Sequence, residues 1–97
     1  MEVQIKRSKR KDKKFDAIID GKNTVSFGAA GMSDYTKHKD DERKERYINR
    51  HKKKEDWSNP KTAGFYAKNV LWNKTSLQAS VADINKKFPK LNVKLKL

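Results

Sequence analysis

The chain has 97 residues, of which 34% are hydrophobic and 38% charged, and it carries a formal net charge of +13. One small domain with a modest core is the expectation at this length. The absence of cysteine excludes a disulfide framework, a zinc–thiolate centre and a cysteine nucleophile.

No apolar run approaches the roughly 18–20 residues of a membrane span. The opening MEVQIKRSKRKDKKFD has basic residues with no apolar stretch behind them and is not expected to be a secretory signal. The charge is unevenly spread: residues 60–97 hold 8 basic and 1 acidic group, and so supply +7 of the +13. A chain this basic attracts polyanions, nucleic acid first and acidic protein or lipid surfaces next.

Val3 and Ile5 alternate with polar neighbours and predict a short strand. The basic run Lys6–Lys14 follows as a strand end or loop. Phe15, Ala17 and Ile19 alternate, Asp20-Gly21-Lys22-Asn23 supplies turn chemistry, and Val25 and Phe27 alternate again, which predicts a hairpin of 15–19 with 24–27. The stretch from Gly28 to Tyr35 reads as a loop. Its G-x-x-G spacing matches neither a dinucleotide fingerprint nor a P-loop.

Residues 40–54 predict a helix with Asp40, Asp41 and Glu42 first and His51, Lys52, Lys53 and Lys54 last, an order that suits the helix dipole. Asp40–Lys44 and Glu42–Arg46 have the spacing of supporting ion pairs. With only Tyr47 and Ile48 apolar, this helix is expected on a surface or between partners. Asn59 as cap and Pro60 at the first position predict a second helix, with a stripe of Ala63, Ala67, Val70 and Leu71 flanked by Phe65, Tyr66 and Trp72. Thr75-x-x-Gln78 has the form of a capping box. Leu77, Val81, Ile84 and Phe88 mark one face of a third helix that Pro89 ends. In the closing KLNVKLKL, Leu91, Val93, Leu95 and Leu97 alternate with Lys90, Asn92, Lys94 and Lys96, a strand with one apolar and one cationic face. The predicted class is α+β: a small antiparallel sheet, made by the N-terminal strands and the C-terminal strand, packed with about three helices in one domain over 1–97.

Chemistry is sparse. His38 and His51 lie thirteen apart, and with Asp40, Asp41 and Glu42 they form no recognised metal spacing, so no metal or cofactor is expected. A metal-dependent nuclease would need Asp40, Asp41, Glu42 and Glu45 to converge, yet these residues already serve as an acidic first turn. No serine–histidine arrangement is evident, and the expectation is a protein that is not an enzyme. Lys and Arg neutralise phosphates, and Tyr35, Tyr47, Trp57, Tyr66 and Trp72 interleave with them and can stack on unpaired bases or pack in the core. The candidate polyanion contacts are Lys6, Arg7, Lys9, Arg10, Lys11, Lys90, Lys94 and Lys96; Arg43, Arg46, Arg50, Lys52, Lys53 and Trp57 are candidate interface anchors.

SFGAAGMSDYTKHKDDERKERYINRHKKKEDW, followed by KTAGFYAKNVLWNK and SVADINKKF, resembles a family of small basic proteins encoded by giant DNA viruses of algae and amoebae. The family pattern runs G-x-SDYT-x-HKD-x-ERKERYI-x-RH-x-x-x-E-x-W, then AGF-aromatic and LWNK. The resemblance covers roughly residues 26–88; Tyr66 stands where the pattern has Trp, and Thr75 where it has Pro. It brings no catalytic or binding residues. It implies a virion protein, a minor capsid component with its cationic surface toward acidic partners or the genome, found in the virion and in host cytoplasm or nucleus during infection. The alternative is a DNA- or RNA-binding protein for packaging or viral gene expression.

Overall fold

A computed structural model describes residues 1–31, 34–54 and 57–97. Met32 and Ser33 of the predicted Gly28–Tyr35 loop lie outside the described residues, as do Glu55 and Asp56. Three strands open the chain: β1 (Glu2–Arg7), β2 (Lys13–Ile19) and β3 (Asn23–Ala29). Adjacent strands pair antiparallel, with Ile5 opposite Ala17 and Phe15 opposite Phe27. The predicted hairpin therefore forms, with Asn23 of the predicted turn drawn into β3 opposite Ile19. At its tip Asp20 and Gly21 both take positive φ, 53° and 69°, and the Lys22 amide donates to the Ile19 carbonyl at 3.0 Å. Asp20 also ties the hairpin to β1: its Oδ1 accepts from the Glu2 amide at 2.8 Å.

The helical half runs α1 (Tyr35–His38), α2 (Asp41–His51), α3 (Ala63–Tyr66), a π-helical turn (Ala67–Leu71) and α4 (Leu77–Lys87). The last strand, β4 (Asn92–Leu95), enters beside β1 and gives the order β3-β2-β1-β4. The α+β class stands, with one pairing different from expectation. β4 runs parallel to β1, because the helical segment carries the chain from one sheet edge across to the other, the crossover that a parallel pair requires.

The alternation read in the sequence sets the core. Val3, Ile5, Phe15, Ala17, Ile19, Phe27 and Val93 are buried on one sheet face against Phe65, Tyr66, Val70, Leu71, Val81 and Ile84. Phe27 bridges the two layers, with ring centroids 5.8 Å from Phe15 and 5.6 Å from Tyr66. Leu97 departs from its predicted face and is 56% exposed, since β4 ends at Leu95.

Several helix boundaries differ from the sequence expectation, those at the N-terminal ends through side-chain competition for backbone groups. The second predicted helix starts at Ala63, not Pro60. Asn59 bonds the Lys61 amide at 3.0 Å, closing a turn, and Thr62 becomes the cap by accepting from the Phe65 amide at 3.3 Å. Ala63 is exposed, and the supposed flanks Phe65 and Tyr66 are core. Val70 and Leu71 of the predicted stripe are buried as expected, but the π turn widens the winding between them and Ala63, so a stripe drawn at 3.6 residues per turn does not extend back to Ala63. α4 is capped by Ser76, which accepts from the Ala79 amide at 3.1 Å, and not by Thr75. α1 was unforeseen; Asp34 caps it by accepting from the Thr36 amide at 3.0 Å. α2 begins after Asp40, whose carboxylate accepts from the amides of Glu42 and Arg43, and ends at His51. Neither predicted ion pair on α2 forms among the described residues: Asp40 serves as the cap, and Lys44 reaches across to the Asn73 carbonyl.

One side chain covers the free edge of β4 at Val93. The Asn85 amide donates to the Val93 carbonyl at 3.0 Å and its carbonyl accepts from the Val93 amide at 2.8 Å, as a neighbouring strand would. Open edges invite pairing with other chains. Asn85→Ala is expected to cost about 1–3 kcal/mol, as two backbone groups lose their partners. Urea denaturation would measure the loss, and light scattering the accompanying rise in self-association.

Candidate functional site

The sequence-predicted cations do not form one site. Lys6 and Lys94 are exposed on β1 and β4, and Lys96 follows β4. Lys9, Arg10 and Lys11 are exposed in the β1–β2 turn, where Arg10 is engaged by Asp12 at 3.0 Å. Arg7 lines a cleft of about 430 Å³ with Lys37, Ser76 and Leu77. Lys90 is exposed, and its carbonyl accepts from the Met1 ammonium at 2.8 Å. Lys14, the last residue of the basic run, is withdrawn from any surface role. Its ammonium meets the Asp34 carboxylate at 2.5 Å, with side-chain exposures of only 9% and 3%.

On α2, Arg43, Arg46 and Arg50 are exposed, and their spacing of three and four places them along one ridge. None makes an ion pair with a described residue. Arg50 also borders a cleft of about 370 Å³ lined by Phe27, Tyr47, Leu71 and Trp72. Lys52 and Lys53 are exposed in the turn that follows. Trp57 is half-buried, with the Lys68 ammonium 5.3 Å above its ring.

The interleaved aromatics mostly face inward. Tyr47 and Trp72 stack with centroids 4.4 Å apart and planes 3° from parallel. His51 lies 4.3 Å from Tyr47 on one side and His38 5.3 Å from Trp72 on the other, making a ladder of four rings. Tyr66 is fully buried. This ladder anchors the polar helix α2 to the domain through Tyr47. Tyr47 and Trp72 thus meet each other and are not laid open for bases.

The acidic cluster is likewise committed. Asp40 caps α2, and Asp41 accepts from the Tyr35 hydroxyl at 2.5 Å. His38 accepts from the Asp40 amide through Nδ1 at 2.9 Å. Among the described residues, no three His, Asp or Glu side chains come close enough to hold a metal ion.

A denser cationic group lies elsewhere, on residues the sequence did not single out. Lys44 Nζ donates to the Asn73 carbonyl at 2.5 Å and sits 4.7 Å above the Tyr35 ring. Asn73 Nδ2 donates to Asp83 Oδ2 at 2.8 Å, and Lys87 Nζ lies 3.1 Å from that oxygen. Lys74 follows Asn73, its amide held by Ser80 Oγ at 3.0 Å. Burial, then the positive charge of Lys74, pushes the Lys44 ammonium below its ordinary range. Burial, then the charge of Lys87, does the same to Lys68. The Asn73 amide, together with Lys87, holds Asp83 below the usual carboxylate value. Only the tertiary fold places Lys44 beside residues some thirty positions on, so spacing carried no signal of it.

These directions set an alkaline stability profile. Lys44 and Lys68 titrate lower in the folded chain than in the unfolded one, so between their depressed values and 10.5 the unfolded state binds more protons and stability rises with pH. The hydrogen bond to Asp41 raises Tyr35, and burial raises Tyr66, so above 10.0 the folded state holds protons that the unfolded state releases, and stability falls. A stability maximum on the alkaline side of neutrality is expected in urea denaturation across pH. Lys44→Gln with Lys68→Gln should flatten the rise, and Tyr66→Phe should soften the fall.

The geometry defines a small basic α+β domain whose carboxylates and rings are largely spent on its own fold, with a surplus of surface cations. The chain belongs to a family described only as "Family of unknown function (DUF5754)", whose family model matches residues 3–51, from β1 to the end of α2. No curated protein and no solved structure matches it. Among the described residues no helix is long and apolar enough to cross a membrane.

Proposed function

We propose that this chain is a non-enzymatic structural protein of a large DNA virus, a minor capsid component whose cationic surface meets acidic virion proteins or the genome. The observation that carries this reading is the arginine ridge of α2. Arg43, Arg46 and Arg50 stand exposed on a helix pinned by the Tyr47–Trp72 stack, and none pairs with a described carboxylate. Exposed guanidinium groups on a rigid support suit carboxylate or phosphate on a partner. The resemblance to small basic proteins of giant DNA viruses supplies the setting.

Alanine at Arg43, Arg46 and Arg50 together is expected to leave the melting temperature within a few degrees, because the three side chains are outside the core. Co-assembly with virion proteins, followed by sedimentation, should fall by at least about tenfold, since interface arginines rank among the strongest anchors. Unchanged co-assembly would remove the ridge from the interface.

A second reading, a nucleic-acid-binding protein for packaging or gene expression, is favoured by the lysines around Asp83. It requires affinity for nucleic acid that persists near physiological salt and exceeds that of an unrelated protein of equal charge.

A further inference from the structure

Lys44, Lys68, Lys74 and Lys87 come from four different segments: α2, the π turn, the connection before α4, and the last turn of α4. Hydrogen bonds link Lys44 to Lys87 and fix the backbone of Lys74 beside them. Lys44 is joined through the Asn73 carbonyl and the Asn73 amide to Asp83, where Lys87 ends. Lys74 is fixed next to Asn73 by the Ser80 hydroxyl. Lys68 is steered by the Trp57 ring beneath it. Asn73 is itself buried, so the backbone carrying the cluster is held in place.

Charge in this cluster does not balance. Asp83 acts on both Lys44 and Lys68, and Asp41 also acts on Lys44 while accepting the Tyr35 hydroxyl. Against them stand four ammonium groups. Lys74 and Lys87 repel Lys44, and Lys87 and Lys44 repel Lys68. Folding therefore sets like charges together without enough carboxylate to compensate, which an external anion would relieve.

The arrangement narrows the anion. Lysine is a point charge with rotatable donors, and several such charges set side by side on different segments can neutralise the closely repeated charges of a phosphate backbone. We infer that Lys44, Lys68, Lys74 and Lys87 form a binding site for the phosphate groups of a nucleic-acid backbone. The site rests on the polyanion-binding reading above and gives it a ligand and a place. It reads no sequence, because its donors address phosphate and the neighbouring Trp72 is stacked on Tyr47.

The test compares two variants of the full chain that remove equal charge. One carries Lys44→Gln, Lys68→Gln, Lys74→Gln and Lys87→Gln; the other carries Lys6→Gln, Lys11→Gln, Lys94→Gln and Lys96→Gln. Fluorescence anisotropy reads binding to a labelled duplex DNA, with unlabelled polyglutamate as competitor, at about 150 mM salt. The cluster variant is expected to bind at least about tenfold more weakly than the sheet variant. Because Lys44 and Lys68 are half-buried, the pair Lys74→Gln with Lys87→Gln, both exposed in the fold, repeats the test without disturbing packing. That pair should reduce the slope of log affinity against log salt by about one to two. Equal losses in the two four-site variants would overturn the assignment and leave polyanion binding intact. Polyglutamate competing as well as unlabelled DNA would overturn phosphate as the ligand. No binding by the unmodified chain would overturn the site and the polyanion reading together.

Discussion

Replacing Asp34 with alanine is expected to destabilise the domain by about 3–5 kcal/mol, because it leaves a buried ammonium without its partner. Lys14 is 9% exposed and directs its ammonium at Asp34. The same carboxylate caps α1, accepting from the Thr36 amide at 3.0 Å and from the Thr36 hydroxyl. The variant therefore loses an ion pair and a helix cap at once. Lys14→Met should cost less, since Asp34 retains its bonds to Thr36 and the methionine stem replaces the lysine stem. In the double variant Asp34→Ala with Lys14→Met the loss should be smaller than the sum of the two single losses, because no buried charge remains. Urea denaturation of all four proteins gives the coupling. Strict additivity would mean that the two groups do not interact.

The second large effect is expected at Gly28. Its φ is +78°, a region that side chains rarely adopt, and a Cβ there would lie 2.7 Å from Leu71 Cδ1 and 3.2 Å from Lys14 Cβ. Leu71 is buried, so its side chain has little room to retreat. Gly28→Ala combines backbone strain with overpacking and should cost about 2–4 kcal/mol. Gly31 makes the comparison. It has φ +83°, and a Cβ added there would meet nothing within 4 Å, so Gly31→Ala carries the strain alone and should cost about 1 kcal/mol. Equal losses at the two glycines would show that contact with Leu71 is unimportant.

How far the sequence foretells this molecule follows from the range of each interaction. The strands were legible because alternation is local: Val3 and Ile5, Phe15 to Ile19, and Leu91 with Val93 all face the core as their period requires. α4 was legible through Val81 and Ile84. The α3 segment was legible in part: Val70 and Leu71 are core as read, but a π turn breaks the period on which a stripe depends, and Phe65 and Tyr66 are core where flanks were expected. Caps shifted by one to three residues wherever two competent side chains stood close together, as with Asn59 and Thr62 or Thr75 and Ser76. The parallel pairing of β4 with β1 is a matter of topology, which alternation does not encode.

The candidate site divides the same way. The arginine ridge of α2 is a helical spacing and was visible in advance. The basic run Lys6–Lys14 was visible as charge, but its last member is consumed by Asp34, a partner twenty positions away. The lysines around Asp83 carried no local signal, since Lys44 and Asn73 meet across 29 positions.

The most direct measurement of the central claim is fractionation of purified virions, with mass spectrometry to locate this chain. Recovery with the capsid shell, after the genome has been released and digested, is the predicted result. Absence of the chain from virions would contradict the account.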